Sequence, residues 1–174
     1  MTQLPPDIHA RLLDFACGVS ASSDFETWLY GSGDLESVLP PDEYLDLLSA
    51  DYKRPAGALA AQELVEALLD TRRPNVVAKY RIELLCEAML TGRVDLLFGL
   101  REIVQFYYQG YTFIPDVFIG LESETDTVPD SHHYHQWEHA ALALQLERLE
   151  WYRPQLLLEL QNLVASLQGQ RRAA

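Results

Sequence analysis

Cysteine is scarce in this chain, with only Cys17 and Cys86 among 174 residues. Both fall in apolar helical contexts and neither belongs to a metal-ligand spacing. That excludes a disulfide framework or a cysteine-based zinc site and leaves two buried free thiols. Positive charge is also short: 13 Lys and Arg face 26 Asp and Glu, for a net charge of −13. Such a field repels phosphate backbones and anionic lipid, so neither nucleic acid nor a membrane surface is the expected partner. An acidic surface also keeps a helical protein soluble, which is sufficient for most such proteins; the sharper reading is a dedicated basic protein partner. No apolar run approaches the ~20 residues that cross a bilayer, and Met1 to Pro6 has neither the basic flank nor the apolar centre of a secretory leader, so a cytoplasmic protein is expected. Also missing are a glycine-rich phosphate loop, a C-x-x-C pair, a G-x-S-x-G elbow and any internal repeat.

What the chain does have is leucine at helical spacing. Leu142, Leu146, Leu149, Arg153, Leu156, Leu160, Leu163 and Leu167 recur at steps of four and three. This puts seven leucines and one arginine on a single stripe of a long C-terminal helix starting near Gln136. Pro154 lies within the stripe and removes the donor to the Glu150 carbonyl, while the leucines keep their phase across it. One kinked helix is therefore expected.

The preceding chain reads as further helices. Pro5 and Pro6 lead into Ile8, Leu12, Phe15 and Ala16. Ser23 and Glu26 have the spacing of a capping box ahead of Trp28 and Tyr30, with Gly31-Ser32-Gly33 as the stop. Pro40-Pro41-Asp42-Glu43 opens a helix carrying Tyr44, Leu47 and Leu48. Ala56 to Leu69 forms another, ended near Arg72-Arg73-Pro74. Ala78, Ile82, Leu85 and Met89 stop at Gly92, and Leu96, Leu100, Ile103 and Tyr107 stop at Gly110. Around Pro115, Phe113 to Ile119 lacks helical spacing and reads as a short extended segment. The fold class expected is all-α: a single-domain bundle of six to eight helices over 1–174, with an N-terminal subregion 1–72 packed on 75–168.

One polar segment, Glu122 to His135, reads as a loop whose composition invites chemistry. Glu122, Glu124, Asp126 and Asp130, rimmed by Tyr134 and Trp137, suit the Lys and Arg side chains of a basic protein partner. Paired carboxylates for acid–base catalysis would need one acid buried, and Ser123 between them has no activating base that the sequence shows. The alternative is a metal-dependent hydrolase. His135 and His139 stand one helical turn apart, and His132, Glu124 or Asp126 would complete the coordination of zinc or another divalent ion, although the order is not H-E-x-x-H. Ser123, Thr125 and Asp126 also suit plain capping of backbone amides. A homodimer held by apolar helix faces is a third alternative.

Two stretches carry a resemblance. Phe25-Glu26-Thr27-Trp28-Leu29-Tyr30, followed by Tyr44 to Leu48 and Asp51-Tyr52, resembles an N-terminal pattern, F-x-x-W-[LV]-Y, of small uncharacterised bacterial proteins. Gly92 to Asp95, Gly99 to Arg101 and Glu122 to Pro129, then Trp137, are similar to a C-terminal pattern with the core S-E-T-D-x-[LV]-P. Some proteins of the first kind are immunity-like. The resemblance thus implies a non-enzymatic protein that neutralises a toxin, without assigning roles to residues.

Overall fold

The computed structural model describes residues 4–129 and 131–172, apart from the side chains of His132 and Arg172. Among the described residues every regular element is a helix: α1 (Pro6–Ala16), α2 (Ser22–Gly31), α3 (Gly33–Val38), α4 (Pro41–Ser49), α5 (Pro55–Arg72), α6 (Val76–Leu90), α7 (Leu96–Tyr108), α8 (Val117–Thr125) and α9 (His139–Arg172), with a 3-10 turn at Ser131–Gln136 before α9. The protein is all-helical. None of these helices is long and apolar enough to cross a membrane. The chain divides into two compact units, Met1–Arg81 and Ile82–Ala174, with the division falling inside α6.

In the first unit the core is aromatic at its centre. Phe15 of α1 stacks on Phe25 of α2 with ring centroids 3.8 Å apart, and Tyr52 tilts against both at 5.9 Å. Tyr52 donates its hydroxyl to the Leu47 carbonyl at 2.8 Å, so a buried phenol keeps its hydrogen bond while its ring closes the α4–α5 connection. Prolines set three helix entries, at α1, α4 and α5, where the missing N–H would have had no intrahelical partner.

The second unit packs Ile82, Cys86 and Met89 of α6 with Leu100 and Ile103 of α7, Phe118 and Leu121 of α8, and Leu156, Leu160, Leu163 and Leu167 of α9. Asp95 caps α7 by accepting from the amides of Leu97 and Phe98, both at 3.0 Å. Gly92 and Gly110 end α6 and α7 with φ of +71° and +94°, a left-handed closure open to glycine and strained for other residues. At the far end of α9, Arg171 donates to the buried Glu83 at 3.1 Å and Gln168 to Glu87 at 3.3 Å, fastening the helix to α6.

Several local expectations are corrected. Among the described residues the α-helices number nine because α3 and α8 are added. Gly33 starts a helix instead of stopping one, and Val117–Thr125 is helical where an extended segment and then a loop were expected. Phe118, Leu121 and Thr125, buried at steps of three and four, show the pattern that the contiguous Val117-Phe118-Ile119 conceals. The Ser23 capping box does not form: α2 starts two residues earlier with Ala21 at its N-cap, so Ser23 sits inside the helix. The α9 helix runs through Pro154, but only its second half is buried. Leu142, Leu146 and Leu149 are half-buried, whereas Leu156, Leu160, Leu163 and Leu167 are buried.

Candidate functional site

The acidic and histidine-bearing segment is more internally committed than a free loop would be. Glu122 and Glu124 belong to the end of α8, whose buried Thr125 donates to the Leu121 carbonyl at 2.8 Å. Beyond it, the carbonyl of buried Val128 accepts from Arg101 of α7 at 3.0 Å, and Thr127 donates to Gln145 of α9 at 2.9 Å. These bonds tie Thr127 and Val128 to α9 and α7. One Glu124 oxygen accepts from the Tyr152 hydroxyl at 2.9 Å and from Arg148 at 3.0 Å. The tyrosine bond first, then the arginine, holds the Glu124 carboxyl below its ordinary range; the reciprocal bond raises Tyr152. Glu138 accepts from the Ala141 amide at 3.0 Å at the start of α9, and that bond, with those from Ala140 and His139, lowers its carboxyl too.

The remaining candidates are spread out. Asp126 and Trp137 are exposed, Glu122 and Tyr134 half-buried, and His135 and His139 exposed. His135 lies 3.5 Å from the Gln136 amide nitrogen. Asp130 and the side chain of His132 lie outside the described residues. Among the described residues no group of three or more His, Cys, Asp or Glu side chains is placed to hold a metal ion. Of the proposed ligands, Glu124 already accepts a cationic and a phenolic donor.

A second acidic surface lies on the outer faces of α2 to α4, and the reading by composition passed over it. Its signal was available in the chain: between Arg11 and Lys53 there is no Lys or Arg, but there are Asp14, Asp24, Glu26, Asp34, Glu36, Asp42, Glu43, Asp46 and Asp51. The structure sorts these acids. Asp14 accepts from Tyr80 at 2.7 Å, Glu43 pairs with Arg72 at 2.6 Å and Asp51 with Arg54 at 3.4 Å. Asp34, Glu36, Asp42 and Asp46 are exposed, and among the described residues no cation pairs with them. Asp34 and Glu36 in the first turn of α3, and Asp42 in that of α4, sit where helix dipoles offset part of their mutual repulsion.

Two large apolar side chains of α2 and α4 are exposed as well. Tyr30 is 60% exposed, with its hydroxyl held by the Leu48 carbonyl at 3.0 Å, and Leu45 on the outer face of α4 is 59% exposed. A phenol ring fixed at its tip and a bare leucine within one helical turn of the bond that fixes it form an anchor point that costs little side-chain entropy to dock against. No family model matches the chain, and comparison with curated proteins and with solved structures finds no match.

Proposed function

We propose that this is a non-enzymatic binding protein whose acidic surface recognises a basic protein partner and that, as an immunity-like protein would, it neutralises a basic toxin by covering it. The observation that supports this most is the set of four exposed carboxylates, Asp34, Glu36, Asp42 and Asp46, which pair with no cation among the described residues, together with the exposed Tyr30 of α2 and Leu45 of α4. Charges left open in this way raise the encounter rate with a cationic partner, and the apolar pair gives the docked complex a dry centre. The segment Glu122 to Trp137 is the secondary surface, since Glu124 is occupied within the chain.

The test is affinity capture from the native host with the wild-type chain and two neutralised variants, Asp34→Asn/Glu36→Gln/Asp42→Asn/Asp46→Asn and Glu122→Gln/Asp126→Asn. The proposal expects a basic protein that is retained by the wild type and the second variant, lost by the first, and released as salt rises. A retained partner indifferent to ionic strength, or no retained partner, defeats the proposal.

A further inference from the structure

The first half of α9 is apolar around much of its circumference, yet from His139 to Gln155 none of its residues is buried. Leu142, Leu146 and Leu149 are half-covered on the side that continues into Leu156 and Leu160. On the opposite side Leu144, Trp151 and Leu158 are 67%, 80% and 54% exposed. These three are seven residues apart in both directions, two helical turns each, and so lie in one line with Trp151 at its midpoint. A helix that is apolar on two faces ordinarily has a cover on both.

We propose that this line is the contact of an isologous homodimer, two α9 helices crossing antiparallel about a two-fold axis at Trp151. That operation sets Trp151 against the partner's Trp151 and Leu144 against the partner's Leu158, so the stripe is its own complement. Charge selects the same occupant. A second copy carries −13 and is repelled by most of this surface, but from His139 to Leu158 two acids, Glu147 and Glu150, are balanced by two arginines, Arg148 and Arg153. The three side chains expose on the order of 350 Å², and with the neighbouring Ala140, Glu147 and Gln155 a paired contact would bury on the order of 1,000 Å² over both copies. That area is at the threshold for a specific interface and corresponds to a weak, concentration-dependent dimer.

The experiment is sedimentation velocity of the full chain over a concentration series, repeated at low and high salt and with Trp151→Glu and Leu144→Ala. The expected result is a mass rising from 19.8 kDa toward twice that value, with pairing strengthened by salt because screening weakens the repulsion between two acidic copies. Trp151→Glu should weaken pairing by at least about tenfold. Because Trp151 is exposed, helix content measured by circular dichroism should stay unchanged. The salt response is opposite in sign to that of the basic-partner complex, so failure of one reading is separable from failure of the other. A single-chain mass at every concentration overturns the proposal, as does a Trp151→Glu chain that pairs like the wild type, or a Trp151 emission shift that occurs only when another protein is added.

Discussion

Replacing Gly57 with alanine sets two effects of the same side chain against each other. Gly57 is the third residue of α5, and alanine in a helix interior is favoured over glycine by about 1 kcal/mol. Helix propensity alone therefore makes Gly57→Ala stabilising. The structure argues the reverse, because a methyl group there would run into the backbone carbonyl oxygen of Asp51, with the Asp51 Cβ at 2.9 Å and carbonyl carbon at 3.0 Å. Backbone of the turn between α4 and α5 gives way less easily than the end of a flexible side chain. Overpacking of this kind costs about 1–3 kcal/mol, so after the propensity gain the net effect is a loss of up to about 2 kcal/mol. Gly120 in α8 is the internal comparison. An added Cβ there meets nothing within 4 Å, so Gly120→Ala gains roughly 0.5–1 kcal/mol. Urea unfolding followed by circular dichroism reads both as displaced midpoints, lower for Gly57→Ala and higher for Gly120→Ala. If both substitutions stabilise equally, the close approach of α5 to Asp51 is not a constraint. The α4–α5 turn would then not be what fixes the outer face of α4.

Three further outcomes follow from the same geometry. Leu160→Ala, at a fully buried position of α9, should cost about 2–5 kcal/mol in urea unfolding, whereas Leu144→Ala on the exposed side should stay within about 0.5 kcal/mol. Glu124 has a lowered carboxyl in the folded chain, so its stabilising contribution is complete above the ordinary glutamate range and is lost as pH falls through the folded value. A pH series of unfolding midpoints should accordingly show a shallower acid loss in Glu124→Gln than in the wild type. Burial pushes the Cys17 thiol up to about 11 and Cys86 to about 12, so at neutral pH the reactive thiolate is at least about a hundredfold rarer than in an unfolded chain. Iodoacetamide should label the denatured protein readily and the native one slowly, and equal labelling rates would contradict the assigned burial.

Much of the helix inventory is legible from local chemistry. Proline entries at Pro6, Pro41 and Pro55 and glycine closures at Gly92 and Gly110 stand where the backbone dictates, because a missing donor and a positive φ are properties of one residue. The errors came where that logic was extended to neighbours. Ser23 has the residue spacing of a capping box, yet the helix begins at Ser22 because nothing at Ser22 or Ser23 prevents two more residues from joining. Gly31-Ser32-Gly33 reads as a stop, but only Ser32 is non-helical, and α3 is six residues long, too short for its buried Leu35 to show a period. The polar run after Leu121 reads as a loop, although Glu122 to Thr125 continue a helix whose inner face had already been set by Phe118 and Leu121.

Site-level features were less legible, because exposure and pairing are tertiary facts. Glu124 looks like an open carboxylate until Arg148 and Tyr152, more than twenty residues later, are seen to occupy it. Trp151 reads as one more apolar residue beside a leucine ridge, and its exposure depends on which side of α9 meets α6 to α8. The cation-free interval from Arg11 to Lys53 was visible in the chain, but which of its acids lack internal partners depends on where Arg54, Arg72 and Tyr80 fold back.

The claim that a basic partner docks on α2 to α4 is tested most directly by titrating the isotopically labelled chain with a synthetic amphipathic peptide of lysine and leucine, following backbone amide shifts at low and high ionic strength. Docking as proposed predicts shifts concentrated at Tyr30, Asp34, Glu36, Asp42, Leu45 and Asp46 that collapse as salt is raised and are absent in the four-site neutralised variant. Shifts centred on Glu122 to Trp137, or scattered over acidic residues throughout the chain, would contradict it.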